Sequence, residues 1–236
     1  MTHPRLLKSA AVITALSAVI VAGVMSSSKH VNARDDESSG QTEESRIRRG
    51  FAIAPVPLNL QRKNRALVGL GSYIVNAVGD CNGCHSAGPR TEFADGGSPY
   101  LLSPPFTGNK QLNLATYLGG GRNFGPNGSV LHLYSRNLTP DKTGLPVGGH
   151  TYKEFVEIMR RGTDFDHVHP NCTDGIATGN CYLPPVNGDL LQVMRWPFFQ
   201  NMTDRDLRAI YEYLGAIPCN PGPGIADAPY LQNACE

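Results

Sequence analysis

Apolar residues recur at intervals of three and four in three stretches of the chain, which is the spacing of one face of an α-helix. The first stretch covers residues 64–78 and ends at Gly79, a residue type that commonly follows the last turn of a helix. The second begins at Thr151 and ends near Gly162, and the third begins at Thr203. We therefore predict three helices separated by long loops, in an all-α fold.

The second and third helices begin with capping signals. Thr151 and Glu154 have the spacing of a capping box, in which each side chain bonds the backbone N–H of the other residue. Thr203 and Asp206 repeat this spacing. The apolar positions that we predict to be buried are Leu67, Leu70, Ile74 and Ala77, then Phe155, Ile158 and Met159, then Leu207, Ile210, Tyr211 and Leu214.

The amino-terminal end of the chain has the pattern of an export segment. Arg5 and Lys8 precede residues 9–25, which are uncharged and mostly apolar. This run is long for the apolar part of a signal peptide and short for a membrane-spanning helix. Residues 1–25 are therefore predicted to be either a signal peptide or a retained membrane anchor. In both cases the rest of the chain is exported, and it is either periplasmic or anchored facing the periplasm.

Composition divides the remaining chain into a tether and one domain. Residues 26–50 are rich in Ser, Asp, Glu and Arg, so we predict a flexible polar tether there. Residues 51–236 have the length of a single domain. The Gly- and Pro-rich loops of residues 86–150 are long enough to wrap a large group. The chain has 21 basic and 20 acidic side chains and no basic stripe, which argues against nucleic acid as a partner.

Two of the six cysteines give the clearest chemical signal in the chain. Cys81-Asn82-Gly83-Cys84-His85 has the C-x-x-C-H form of a c-type haem attachment site. Each thiol would bond one haem vinyl group, and the adjacent His85 would supply an axial nitrogen to the iron. Two other interpretations remain open. A zinc site would need further ligands at suitable spacing, and a thioredoxin-like dithiol would need a βαβ unit.

The other four cysteines are Cys172, Cys181, Cys219 and Cys235. An even number of cysteines in an exported chain predicts two disulfides, and we favour the two short-range pairs, Cys172–Cys181 and Cys219–Cys235. The first would close a loop rich in Gly, Asn and Thr, and the second would fix the Pro- and Gly-rich tail. Buried free thiols are the alternative.

The second axial ligand decides between electron transfer and substrate chemistry, because an iron with two protein ligands has no open position. The candidates are Met159, Met194, Met202, His150, His167 and His169. Met159 fits an apolar helix face, and Met202 has the position of a hydrophobic staple before Thr203. Met194 has no such structural explanation, so we predict that it is the ligand. The alternatives are Met202, His167 and His169.

The order of these features resembles the class I cytochrome c domains found as single-haem proteins and in the cytochrome subunits of bacterial membrane alcohol dehydrogenases. The resemblance covers about residues 64–216. It rests on CNGCH, the NLTPD segment at 137–141, TYKEFVEIMRRG and the ending MTDRDLRAIYEYL. In that family the methionine eight residues before the final-helix methionine is the iron ligand, and Met194 and Met202 have this separation.

The resemblance also has consequences for the fold, since in this family the first helix packs on the last. The residues in that contact would be Gly71, Tyr73, Tyr211 and Leu214. The chain departs from the family in a cysteine-flanked insertion, residues 170–190. It also carries one C-x-x-C-H motif, whereas the dehydrogenase subunits usually carry three. The implied fold is a class I cytochrome c fold with an added amino-terminal export helix.

Together these features predict a mono-haem c-type cytochrome that carries electrons and is not itself an enzyme. One covalently bound haem c would be held by Cys81, Cys84, His85 and Met194. His85 and Met194 would be the iron ligands. The partners would be redox proteins, a dehydrogenase or an oxidase, and also the membrane if residues 1–25 are retained. The alternatives are a haem enzyme or gas sensor with an open or displaceable axial position, and the cytochrome subunit of a dehydrogenase complex.

Overall fold

The structure is a computed structural model that describes most of the chain. The described residues are 33–87, 91–101, 110–125, 132–173 and 181–236, with side chains from residue 42 onward. The chain divides into two compact units, Met1–Glu43 and Glu44–Glu236. The described part of the first unit is the beginning of a helix. The core and the candidate site described below belong to the second unit.

Helices make up the regular structure of the described residues. In chain order they are α1 (Ala33–Ile53), α2 (Arg65–Tyr73), α3 (Cys81–Cys84), α4 (Pro146–Gly149), α5 (Tyr152–Arg161), α6 (Trp196–Phe199) and α7 (Asp204–Leu214). A π-helical turn, Ile74–Val78, continues α2, and a 3₁₀ turn, Pro229–Leu231, lies near the end of the chain. Within the described ranges no β-strand forms, and the β pairings are isolated bridges. The predicted all-α class is therefore confirmed for this part of the chain.

The first and last predicted helices pack against each other, as the resemblance implies. Their contact, between α2 and α7, is the most extensive between any two helices of the described residues. Gly71 makes this close approach possible, because a Cβ at this position would overlap the backbone oxygen of Ala209. Tyr213 of α7 also lies against Gly71 and is fully buried. The small residue on α2 therefore lets the backbones of the two helices meet.

The predicted boundaries of the second and third helices are confirmed. The Glu154 carboxylate accepts a hydrogen bond from the Thr151 N–H at 2.8 Å, and the Thr151 hydroxyl accepts one from the Glu154 N–H at 3.4 Å. At α7 the Thr203 hydroxyl accepts from the Asp206 N–H at 3.1 Å. Helix α5 ends at Gly162, whose φ of 73° lies in the left-handed region that favours glycine.

The first predicted helix is present, but its last five residues form a π-helical turn. Asn76 lies in this turn, and its side-chain amide donates to the Tyr213 hydroxyl at 3.1 Å. The Tyr117 hydroxyl donates to the same side chain and lies 2.8 Å from the Tyr213 hydroxyl. Tyr117 and Tyr213 come from two other parts of the chain, and this buried polar network stabilises the wider π-helical turn. The apolar spacing alone does not distinguish a π-turn from an α-turn.

Within the range predicted to be a polar tether, residues 33–50 are helical and belong to α1. The prediction considered composition alone, whereas the end of α1 has tertiary support. Gly50 approaches α2 so closely that a Cβ there would overlap the backbone of Gly69. The Ser72 hydroxyl also donates to the Gly50 carbonyl at 2.7 Å. Ile47 and Phe51 also pack against the core, so the end of this mostly polar helix is stabilised by several contacts.

The predicted signal peptide or membrane anchor lies outside the described residues, as do residues 26–32. Among the residues that are described, none of the helices has both the length and the apolar character needed to cross a membrane. The division into residues 1–25, 26–50 and 51–236 stays a prediction.

Both predicted disulfides are present, Cys172–Cys181 and Cys219–Cys235. The second pair holds the tail against the domain. Leu231 is fully buried, and the Asn233 amide donates to the Thr139 carbonyl at 3.0 Å. The tail is therefore part of the packed structure.

Candidate functional site

The C-x-x-C-H motif forms a short helical turn directly after the π-helical turn. Within α3 the His85 N–H donates to the Cys81 carbonyl at 2.8 Å. Asp80 enters the turn with a φ of 46°, a left-handed conformation in which aspartate is enriched. Its carboxylate fills the space beside Gly83, where a Cβ would clash with it. The turn places Cys81, Cys84 and His85 on the wall of one cavity.

Residues far along the chain hold this turn in place. The Leu118 N–H donates to the side-chain oxygen of Asn82 at 2.9 Å, and the Gly120 N–H donates to the His85 carbonyl at 2.8 Å. Gly120 has a φ of 75°, so this backbone position suits glycine. The glycine triplet at 119–121 therefore helps to fix the C-x-x-C-H motif through the backbone of Gly120.

The His85 ring is oriented by a single backbone contact. Its Nδ1 lies 2.7 Å from the Arg136 carbonyl, so the N–H sits on Nδ1 and the lone pair is left on Nε2. Metal-ligating histidines are commonly oriented in this way. Burial lowers the pKa of His85, which favours the neutral ring that a metal requires.

The two cysteines lack the electrostatics of a reactive dithiol. Burial, with a smaller contribution from the charge of Asp80, raises the pKa of the Cys81 thiol to about 12. Burial also raises the pKa of Cys84, against the opposing effect of Arg122. Redox-active C-x-x-C pairs have lowered thiol pKa values. The environment therefore opposes the thioredoxin-like interpretation.

The zinc interpretation requires additional ligands near the two thiols. Across the described ranges, no three His, Cys, Asp or Glu side chains come together as a group that could hold a metal ion. A zinc ion at Cys81 and Cys84 would therefore lack a complete set of protein ligands from this part of the chain.

A cavity of about 440 Å³ lies beside the motif. Its volume falls within the range of about 300–1,000 Å³ that is usual for ligand and cofactor sites. The four residues predicted to hold the cofactor all line it: Cys81, Cys84, His85 and Met194. The other walls are mainly apolar, and they include Ile74, Leu138, Phe155, Ile158, Ile210 and Leu214. The structure thus brings together residues that the sequence separates by more than one hundred positions.

Most of the other candidate axial ligands lie in the same cavity. Met159, Met202, His150 and His169 line it together with Met194. His167 does not, and its side chain is 67% exposed and lies 4.0 Å from Asp189. His167 is therefore not at the cavity wall in this structure. The structure leaves three methionines and two histidines at the cavity wall.

The cavity also has a polar region that the sequence did not predict. The Arg136 guanidinium donates to both carboxylate oxygens of the buried Asp164, at 2.9 and 3.1 Å. It also contacts Asp166 at 3.2 Å and stacks on the Tyr230 ring at 4.7 Å. Tyr182, from the cysteine-flanked insertion, lines the cavity as well. The position of Arg136 just before the NLTPD segment was the one available signal.

Comparison with known proteins identifies cytochrome subunits as relatives. The chain is 29% identical over 170 residues to the gluconate 2-dehydrogenase cytochrome c subunit of Pantoea cypripedii, covering 71% of this chain and 27% of the relative. It is 28% identical over 164 residues to the alcohol dehydrogenase (quinone) cytochrome c subunits of Gluconacetobacter polyoxogenes and Komagataeibacter europaeus. This match covers 70% of this chain and 24% of each relative. The chain is related to cytochrome c subunits. The predicted resemblance is thereby confirmed.

The similarity is partial. The matched region spans about a quarter of the length of these curated relatives. No protein-family model matches the chain, and no solved structure matches it.

The residues at the cavity fit a covalently attached haem. Two thiols and an oriented histidine lie together at one wall, and apolar side chains form most of the others. Tyr182 adds a buried hydroxyl that has no hydrogen-bond partner in the described structure. A cofactor bound in the cavity could supply a hydrogen-bond partner for this hydroxyl.

Proposed function

We propose that the protein is a mono-haem c-type cytochrome with a class I fold, and that it transfers electrons. The observation that carries the proposal is the position of Cys81, Cys84 and His85 on one largely apolar cavity. The Arg136 carbonyl orients His85 as a metal-ligating histidine would be. Haem bound there would supply a one-electron iron couple, and the protein would supply ligands and burial.

Met194 is the proposed second iron ligand. It lines the cavity and is partly buried against the core. A methionine and a histidine together would fill both axial positions, so the iron could accept and release electrons without binding a substrate. The names of the relatives support this role, because each is a cytochrome c subunit. We therefore assign electron transfer and no catalytic residues of the chain's own.

The proposed partners are redox proteins, a dehydrogenase above all. Each relative is named as the cytochrome c subunit of a dehydrogenase. The proposed location is the periplasm, where haem c and disulfides such as Cys219–Cys235 are both stable. Residues 1–25 would direct export or retain the protein at the membrane.

One spectrum tests the proposal. Purified full-length protein should show a Soret band and the sharp visible bands of low-spin haem after reduction with dithionite. The oxidised protein should also show the weak near-infrared charge-transfer band of a sulphur–iron bond. A preparation expressed with the haem-attachment machinery that has no Soret band would refute the haem assignment. A Soret band without the charge-transfer band would refute Met194 as the ligand.

A haem enzyme or gas sensor is the second candidate, because two histidines line the cavity besides His85. His150 lies 3.7 Å from both Glu154 and Asp166. His169 is buried beside the Tyr182 ring. Carbon monoxide separates the two functions. Ferrous protein with both axial positions filled does not bind it, whereas an open iron binds it at once and shifts the Soret band.

A further inference from the structure

The cysteine-flanked insertion supplies part of the cavity wall. Its described ends, residues 170–173 and 181–190, are fastened to each other. The Cys172 N–H donates to the Tyr182 carbonyl at 2.8 Å, and the Tyr182 N–H donates to the Pro170 carbonyl at 2.8 Å. Together with the Cys172–Cys181 disulfide, these bonds hold Tyr182 at the cavity. The insertion therefore places one aromatic side chain beside the proposed haem.

The Tyr182 hydroxyl has an unusual environment. The residue is 8% exposed, its ring meets the His169 ring edge-on at 5.7 Å, and its hydroxyl is buried with no hydrogen-bond partner among the described residues. Nearly all buried hydroxyl groups are paired, because an unpaired one loses its bonds to water and gains none. An acceptor that binds in the cavity would restore that bond.

The charged groups around Tyr182 include Arg136 and Asp164, and Asp166 lies beside the same arginine. The Asp164 carboxylate accepts two hydrogen bonds from the Arg136 guanidinium. The Asp166 carboxylate forms an ion pair with Nε of the same arginine. One cation therefore serves two carboxylates, and the region has a net formal charge of −1 when all three are ionised. The charge of Arg136 is thus shared by two carboxylates, while its Nη1 group takes part in neither contact. The neutral hydroxyl of Tyr182 is a donor that remains available.

Haem itself has carboxylate acceptors in only one region. Its vinyl groups would be joined to Cys81 and Cys84, and its hydrogen-bonding groups are the two propionates at the opposite edge. Resting on the proposed haem function, we propose that Tyr182 donates a hydrogen bond to a haem propionate and thereby raises the reduction potential. The physical reason is electrostatic. A propionate charge stabilises ferric iron, and a hydrogen-bond donor weakens that stabilisation by dispersing the charge.

Tyr182→Phe tests the proposal in the haem-loaded, full-length protein, since it removes the hydroxyl and keeps the ring. The resonance Raman band of the propionate bending mode should move to lower frequency. The midpoint potential should fall, with the equilibrium moving up to about tenfold towards ferric haem, or about 59 mV for a one-electron couple. Tyr152→Phe is the matched control. Its hydroxyl contacts the Asp204 carbonyl at 3.4 Å and does not line the cavity, so neither readout should change.

The outcomes separate this proposal from the proposed function. A normal Soret band with an unmoved propionate band and potential in Tyr182→Phe would overturn the propionate contact and leave the proposed haem function standing. Absence of haem from the unmodified protein would overturn the function itself. If the variant does not fold, the unmodified protein still decides the matter. Its propionate band must shift in deuterated buffer, and a band that does not shift refutes the contact.

Discussion

At the scale of single residues, three methionine side chains line the cavity, and each has a sulphur atom that could bind the proposed haem iron. Met159 is buried at 5% exposure on α5, as its helical spacing predicts, while Met194 and Met202 are partly buried. All three line the cavity, so burial and position do not choose among them. The choice of Met194 depends on its irregular local structure and on its separation from Met202.

We predict that Met194→Ala abolishes the near-infrared charge-transfer band and lets ferrous haem bind carbon monoxide, because the variant opens one axial position. The measurements are the oxidised near-infrared spectrum and the shift of the ferrous Soret band under carbon monoxide. Met202→Leu and Met159→Leu are matched controls that keep the apolar volume and should retain the band. Loss of the band in either control, with Met194→Ala unaffected, would assign the ligand to that control position.

The chemistry of the motif could be predicted because it is local. Cys81, Cys84 and His85 lie within five consecutive residues, so their spacing along the chain does not depend on the fold. The contacts that tune these residues could not be predicted in the same way. Arg136 is 51 residues from the histidine that it orients, and Tyr182 reaches the cavity through a disulfide-closed insertion. Nothing in their immediate sequence indicates which side chain they meet.

At the scale of elements, the start of α5 gives a sharp test of capping. We predict that Thr151→Ala lowers the free energy of unfolding by about 1 kcal/mol, since it removes the acceptor for the Glu154 N–H. Chemical denaturation at neutral pH measures the loss. Lys153→Ala is an exposed change in the same helix and should have little effect.

The same capping box predicts a dependence on pH. Hydrogen bonds from the Thr151 N–H and hydroxyl lower the pKa of Glu154 from its usual 4.5. Its stabilising contribution is therefore complete above 4.5 and is lost as the pH falls through the lowered folded-state value. The difference in unfolding free energy between the unmodified protein and Glu154→Gln should shrink as the pH falls from 4.5 through that lowered value. A difference that stays constant from neutral pH to pH 3 would contradict the prediction.

The helix pair α2 and α7 makes a prediction about packing. Gly71→Ala should destabilise the protein towards the upper end of the range of about 1–3 kcal/mol for overpacking, because the new Cβ meets backbone that cannot move aside. Gly215→Ala is the control, since its Cβ would meet the flexible end of Lys63 and its φ of −77° suits alanine. In thermal unfolding, the melting temperature of Gly71→Ala should therefore be lower than that of Gly215→Ala. Equal melting temperatures would show that the helices can shift apart.

The helices differ in how well the sequence predicts them. Caps such as Thr151 and Thr203 identified two starts correctly, because capping bonds are formed between near neighbours. The helical part of residues 42–50 was not predicted, because contacts of Gly50 with α2 and the packing of Ile47 and Phe51 against the core stabilise it. Composition alone does not indicate these contacts. The π-helical turn was missed because it depends on Asn76 meeting two tyrosines from distant segments.

At the scale of the whole molecule, the disulfides are expected to set the resistance to unfolding. Removing the second bridge with Cys219→Ser and Cys235→Ser should cost about 3 kcal/mol by the chain-entropy estimate, since the bridge spans 16 residues. Denaturant unfolding of the double variant measures this loss. Adding a reductant should then have less effect on the variant than on the unmodified protein. Equal stability of the two proteins would mean that the packed tail, with Leu231 buried, holds itself in place.

The distant supports of the C-x-x-C-H motif have a consequence for the timing of maturation. A chain made from its amino terminus presents Cys81 and Cys84 first, while Leu118, Gly120 and Arg136 have yet to follow. Until they arrive, the turn lacks the bonds that fix Asn82 and His85. Folding then partly buries Cys81, whereas Cys84 is exposed in the folded structure. Haem attachment at Cys81 would have a limited interval in which to occur, and slowing the later segments would lengthen it.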